Sequence, residues 1–182
     1  MKNLTTIFCN SPFRIKTLFT KPLKYIIQMF TADGSEHCAL YFKVETKVNP
    51  QVEPQGYIFE MTGEGGRVLS YEAWLEERKG SKFRTIELSK ALNKKTTAKI
   101  IDFCLSKVAI KYDAVGATLA YLDEISWIRK LGYKTKGSWC SQIIFEAFCV
   151  GGIFEKGNDL LTPAELKKAQ LKSPYFGVWK KL

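Results

Sequence analysis

The spacing of apolar residues changes along the chain, from a period of two in the first half to a helical period in the second. In His37–Val44 apolar side chains alternate with others, and Tyr57 to Thr62 repeats this strand-like pattern. Over 100–108 and 140–148 apolar residues recur every three or four positions, which is typical of a helix with one buried face. Further strand-like runs are Thr5 to Cys9, Arg67 to Ser70 and Phe83 to Leu88. We therefore expect an α+β fold, with a small antiparallel sheet packed against helices.

The size of the chain suits one domain. With 182 residues and a hydrophobic fraction of 46%, it is long enough for a real core and short for two ordinary domains. We therefore predict a single domain over residues 1–182.

The chain is strongly basic, with 28 Lys and Arg against 18 Asp and Glu and a formal charge of +10. Such a charge favours anionic partners, such as nucleic acid, acidic lipid surfaces or wall polymers. The basic residues are scattered, however, and occur at most in short pairs such as Lys94 and Lys95. A basic surface that only keeps the protein in solution is therefore the plainer explanation of the charge.

The five cysteines form no CxxC pair, and their number is odd. This pattern argues against both a disulfide framework and a zinc ribbon, so we expect no metal and no cofactor. Polar residues interrupt the N-terminal apolar stretch, and no uncharged run approaches the roughly 20 residues that span a bilayer. A reducing, cytoplasmic location is therefore expected.

His37 is the only histidine in the chain. Any mechanism that needs an imidazole base near neutral pH must therefore use it. The alternative is a histidine in a half-buried strand whose ring is satisfied by a local hydrogen bond.

Cys140 falls in the first turn of a predicted helix, for which Ser138 is a candidate cap. Backbone N–H groups and the helix dipole stabilise a thiolate at such a position and lower the thiol pKa from about 8.5. Core packing explains the remaining cysteines better, and it is also the alternative for Cys140, whose helix is apolar on that side. Those remaining cysteines are Cys9, Cys38, Cys104 and Cys149.

Glu60 is an acid within a mainly apolar strand. If that strand pairs with the strand of His37, the carboxylate could lie beside the imidazole, fix its tautomer and stabilise the imidazolium. An exposed strand position is the alternative.

The order of these motifs resembles that of the permuted papain-like cysteine hydrolases, the NlpC-type superfamily in its YiiX-like branch, distantly akin to lecithin retinol acyltransferase. The matching segments are Glu36 to Tyr41, Tyr57 to Gly63 followed by Arg67, Tyr112 with Asp113, Trp139 to Phe148, and Leu161 to Pro163. Gln142 stands where this family usually has an acid. The resemblance covers roughly residues 35 to 170, whereas residues 1–34 look divergent.

The resemblance implies a permuted papain-like fold and a thiol hydrolase or acyltransferase. Cys140 would be the nucleophile, His37 the base and Glu60 the group that orients the base. Tyr112 would line the site and donate its hydroxyl to the oxyanion or shape the entry, although a packed tyrosine is the plainer interpretation.

The substrate remains open, because a peptide amide, an isopeptide, a wall-polymer amide and a lipid ester or amide all suit one thiolate. The competing hypothesis is a non-catalytic basic binding module on a papain-like scaffold, for example a phage or mobile-element protein that targets a host factor.

Overall fold

The computed structural model describes residues 4–10, 37–44, 54–113, 116–117, 138–156 and 161–182. The strands are β1 (Leu4–Asn10), β2 (His37–Val44), β3 (Gln55–Thr62), β4 (Gly65–Ser70), β5 (Lys82–Leu88) and β6 (Phe176–Lys181). The helices with full bounds are α1 (Tyr71–Glu77), α2 (Lys94–Ser106), α3 (Cys140–Val150) and α4 (Pro163–Lys172). This confirms the predicted α+β class, with a small antiparallel sheet packed against helices.

The strands form one sheet in the order β4-β3-β2-β1-β5-β6. Every neighbouring pair is antiparallel. Within the divergent segment 1–34, the structure describes only β1 (Leu4–Asn10). The rest of that segment lies outside the described residues. This short strand is central in the sheet, because it pairs with both β2 and β5.

Both faces of the central strands are buried. On β2, Cys38, Leu40 and Phe42 belong to the main core beneath α3, whereas Ala39 and Tyr41 pack around Trp74 of α1. The predicted alternation of β2 is therefore confirmed, and each of its two sets of side chains has its own apolar cluster.

Helix α2 is shorter than the apolar period suggests. It ends at Ser106, and Val108 instead forms a parallel bridge with Gly66. The chain approaches Gly66 so closely that a Cβ there would lie 2.1 Å from the carbonyl oxygen of Lys107. A glycine is therefore required at that position for this bridge to form.

Helix α3 begins at Cys140 as predicted, but its cap differs from the prediction. Trp139 occupies the N-cap with extended backbone, and no side chain caps the helix. Ser138 lies one residue too early for its hydroxyl to act as the cap, and its carbonyl accepts from the amide of Asp113 instead. The start of α3 is held in place by the carbonyl oxygen of Leu161, which accepts hydrogen bonds from the Trp139 indole and the Ser141 hydroxyl.

The capping box predicted at the start of α4 is present. The Thr162 hydroxyl accepts from the amide of Glu165, and the Glu165 carboxylate accepts from the amide of Thr162. The strand that the sequence pattern did not predict is β6, whose alternation is weakened by Gly177 and by the terminal lysine pair. None of the described helices is long and apolar enough to cross a membrane.

Candidate active site

His37 and Glu60 meet across the β2–β3 pair. Ala39 lies opposite Glu60 in the register, so His37, two residues earlier on the same face, is the diagonal neighbour of Glu60. The imidazole Nε2 lies 2.8 Å from Oε2 of Glu60. The sequence prediction that Glu60 would fall beside the imidazole agrees with this geometry, and the alternative of an exposed Glu60 does not, because the residue is fully buried.

Further donors surround the Glu60 carboxylate. Arg67 reaches Oε1 through Nε at 2.9 Å and Nη2 at 2.6 Å. Oε2 accepts from the Trp74 indole at 2.9 Å and from Arg78 Nη2 at 2.5 Å. The carboxylate is therefore held by two guanidinium groups and an indole as well as by His37.

The sequence did not predict this cage, although one part of it left a signal. Arg67 lies directly opposite Glu60 in the tight β3–β4 hairpin, so a Glu and an Arg placed around a glycine turn could have been read as a cross-strand pair. Trp74 and Arg78 are a helical turn apart on α1 and its C-cap, and only the packing of α1 on the sheet brings them to Glu60.

These contacts shift the pKa values of both partners. Burial opposes the ionised form of Glu60, but the hydrogen bond and charge of His37, the charge of Arg78 and the Trp74 indole outweigh it and hold the Glu60 pKa well below its usual range. Burial likewise opposes protonation of His37. Its hydrogen bonds to Cys140 and Glu60 outweigh that effect and raise the pKa of the imidazole to about 9.

Cys140 is buried at the start of α3, with 4% of its surface exposed. Its sulfur is hydrogen-bonded to the ring of His37. The same ring contacts the Glu60 carboxylate through Nε2. The structure therefore brings Cys140, His37 and Glu60 into one continuous chain of hydrogen bonds.

Cys38 is the neighbour of Cys140 that the sequence assigned only to packing. Its thiol donates a hydrogen bond to the Cys140 sulfur, and its backbone amide donates a second. The Cys38 thiol bond is the largest cause of a Cys140 pKa well below the usual thiol value, and His37 adds its own hydrogen bond and charge against the effect of burial. Burial and the same contact raise the Cys38 pKa, so this thiol keeps its proton.

Tyr112 lies at the edge of the same site. It bridges to Ser138, two residues before Cys140, and its ring packs against the core cluster that contains Cys140. Burial and the nearby negative charge of Cys140 raise the Tyr112 pKa well above its usual value, so the phenol stays protonated. The position thus offers a protonated hydroxyl near the nucleophile candidate.

Gln142, which stands in place of the usual acid, lies in the first turn of α3. Its amide nitrogen donates to the carboxylate of Glu146 at 2.9 Å. This contact runs along the helix, away from the Cys140 sulfur. Within the described residues, no group of three or more His, Cys, Asp or Glu side chains is arranged to hold a metal ion.

Comparisons with known proteins give one solved structure of similar fold. No protein-family model matches the sequence, and no curated protein does. The crystal structure of metalloprotein yiiX from Escherichia coli O157:H7, DUF1105, superposes with a TM-score of 0.54 at 14% identity, covering 95% of this chain and 93% of that chain. At this identity the likeness shows the fold alone. The YiiX-like fold that the motif order predicts is therefore confirmed.

Proposed function

We propose that the protein is a cysteine hydrolase or acyltransferase in which the Cys140 thiolate attacks the carbonyl of an amide or ester. The observation that carries the proposal is the chain of hydrogen bonds from the Cys140 sulfur through the His37 ring to the buried Glu60 carboxylate. In hydrolases of this kind, a nucleophile is paired with a base that a third group orients. The papain-like identity that the motifs imply is part of the same proposal.

In the proposed mechanism the resting pair is a thiolate and an imidazolium, because the Cys140 pKa is lowered and the His37 pKa is raised. The thiolate attacks the acyl carbon, and the backbone N–H of Cys140 and the Tyr112 hydroxyl stabilise the oxyanion. His37 then gives its proton to the leaving amine or alcohol. It next takes a proton from water or another acceptor, which attacks the thioester and frees Cys140.

Glu60 keeps the imidazolium oriented throughout these steps. Its own position does not depend on His37, because Arg67, Arg78 and Trp74 also bind the carboxylate. An anchored carboxylate fixes the orientation of the ring beside the sulfur. Glu60 is therefore proposed as a positioning residue and Cys140 and His37 as the catalytic residues.

The proposed substrates are a peptide, a wall-polymer amide or a lipid acyl group. The formal charge of +10 favours an anionic substrate or an anionic surface among these. All five cysteines are free thiols in the structure, which suits the reducing, cytoplasmic location that we propose. No observation favours the non-catalytic binding module, so it serves as the competing outcome of the test.

The test is acylation of the full chain by an activated thioester, followed by mass mapping of all five cysteines. We expect Cys140 to be acylated far faster than Cys149, and the label to be lost in Cys140→Ala but kept in the control Cys149→Ala. A matched acyl ester and acyl anilide then report turnover. Acylation of Cys140 at the rate of Cys149, with no turnover above Cys140→Ala, would favour the binding module.

A further inference from the structure

We propose that Cys38 and Cys140 form a reversible disulfide when a peroxide oxidises the site, with Cys38 acting as the resolving thiol, the one that attacks the oxidised sulfur. The inference rests on the proposed function only in that Cys140 is an activated thiolate. It assigns a chemical role to Cys38, which the proposed acyl transfer does not use.

The first support is geometric. Cys38 directly follows His37 in β2, and the alternation of the strand turns its side chain to the face that α3 covers. Both sulfurs belong to one buried cluster, with Cys38 fully buried and Cys140 4% exposed. The Cys38 thiol already donates to the Cys140 sulfur. The two side chains therefore meet where α3 packs on β2.

The second support is chemical asymmetry between the two thiols. Peroxides oxidise thiolates, and Cys140 is the thiolate of the pair because Cys38 and His37 stabilise its charge. Cys38 is kept as a thiol by burial, so it is not the first sulfur to be oxidised. The side chain of His37, which contacts Cys140, is 17% exposed, so the pair lies near the protein surface.

The proposed oxidation of Cys140 and Cys38 takes two steps. The Cys140 thiolate attacks one oxygen of hydrogen peroxide, the O–O bond breaks, and the departing hydroxide takes a proton to leave as water, which gives Cys140 sulfenic acid. The Cys38 sulfur then attacks the Cys140 sulfur, the S–O bond breaks, and hydroxide leaves with the Cys38 proton as a second water. Peroxide is reduced and the two thiols are oxidised. A dithiol reductant restores both thiols by exchange.

The other cysteines lack this arrangement. Burial raises the pKa of Cys104 to about 12, and the Cys149 thiol lies 3.6 Å from the carbonyl oxygen of Glu155. Cys9 contacts Arg78 at 4.0 Å on the other side of the sheet from α3. A disulfide between Cys38 and Cys140 would therefore form in preference to the other pairings, would reversibly block acyl transfer and would protect Cys140 from irreversible oxidation to sulfinic acid.

The test uses Cys38→Ser, which keeps a hydrogen-bond donor beside Cys140 but removes the resolving sulfur, and Cys149→Ser as the matched control. The full-length proteins are treated with hydrogen peroxide, alkylated under denaturing conditions and mapped by mass spectrometry. In the parent and in Cys149→Ser we expect loss of two hydrogens and a peptide linking Cys38 to Cys140, both reversed by a dithiol. In Cys38→Ser we expect Cys140 to gain one and then two oxygens.

Oxidation of Cys140 to sulfinic acid at the same rate in the parent and in Cys38→Ser would overturn the inference, as would a disulfide that leaves Cys38 out. Thioester acylation of the reduced parent distinguishes this failure from failure of the proposed function. If Cys140 is acylated rapidly but forms no disulfide, only the redox inference is wrong. If Cys140 is neither acylated nor oxidised faster than Cys149, the activated thiolate itself is wrong.

Discussion

The Nε2 atom of His37 lies 2.8 Å from Oε2 of Glu60, an oxygen that also accepts from Trp74 and Arg78. One carboxylate oxygen thus serves the imidazole and two groups of the α1 segment at once. The Glu60 carboxylate is fully buried, so its charge is balanced by these neighbours rather than by water. The orientation of His37 and the packing of α1 on the sheet therefore depend on the same side chain.

Glu60→Gln should destabilise the fold strongly. The amide keeps the volume of the side chain but leaves the half-buried guanidinium groups of Arg67 and Arg78 without the buried negative charge that they share. Breaking a buried ion pair in this way costs about 3–5 kcal/mol of unfolding free energy. Urea denaturation of the parent and Glu60→Gln at neutral pH measures this loss of unfolding free energy.

The matched control for that substitution is Glu76→Gln. Glu76 is 77% exposed and pairs at 3.5 Å with Lys79, which lies just past the end of α1. Its replacement should change the unfolding free energy by no more than about 0.5 kcal/mol. Equal unfolding curves for the two variants would show that the cage around Glu60 does not stabilise the protein.

His37→Ala should slow alkylation of Cys140 at mildly acidic pH. The substitution removes a hydrogen bond and a positive charge that both lower the Cys140 pKa. If the pKa returns to an ordinary value of about 8.5, the thiolate fraction at a pH of about 6 falls roughly 300-fold. Iodoacetamide kinetics with peptide mapping measure this, and Cys149 in the same samples is the internal control. An unchanged Cys140 rate would mean that Cys38 and the helix start alone hold the thiolate.

The local parts of the site could be predicted from the sequence because each leaves a short-range pattern. The alternation in β2 and β3 predicted which residues of each strand share a face, and the helical period predicted a helix start at Cys140. These segments also carry the motif order that resembles YiiX-like proteins. Their strand pairing was a hypothesis that the register confirms.

The other contacts of the site depend on long-range packing, which a pattern within one segment of the sequence cannot show. Cys38 looked like a core residue because it is one, and its contact with Cys140 exists only because α3 lies across β2. Trp74 and Arg78 reach Glu60 only because α1 packs on the opposite face of the sheet. The expected cap at Ser138 was wrong because the helix starts one residue later than that cap requires, with Trp139 at the N-cap.

Ser141→Ala should weaken the anchor at the start of α3. The buried Ser141 hydroxyl donates to the carbonyl oxygen of Leu161, which also accepts from the Trp139 indole. Because the carbonyl keeps one donor, we expect a loss of only about 0.5–1.5 kcal/mol in unfolding free energy. Urea unfolding measures it, with Ser106→Ala as the control on an exposed serine of α2. A loss as large as that of Glu60→Gln would contradict this assignment.

Stability should fall on acidification through the titration of Glu60. A carboxyl whose folded pKa lies below its unfolded value stabilises the fold fully above the unfolded value, which is ordinarily 4.5 for Glu, and loses that contribution as pH falls toward the folded value. The raised pKa of His37 does not interfere, because its contribution is fully present below the ordinary value of 6.5. Between pH 4.5 and the folded pKa, Glu60 alone should lower the unfolding free energy by up to about 1.4 kcal/mol per pH unit.

The unfolding free energies of the parent and Glu60→Gln, measured in urea across this range, should therefore converge on acidification, while Glu76→Gln stays parallel to the parent. A constant gap between the parent and Glu60→Gln would show that the Glu60 pKa is not lowered in the folded protein.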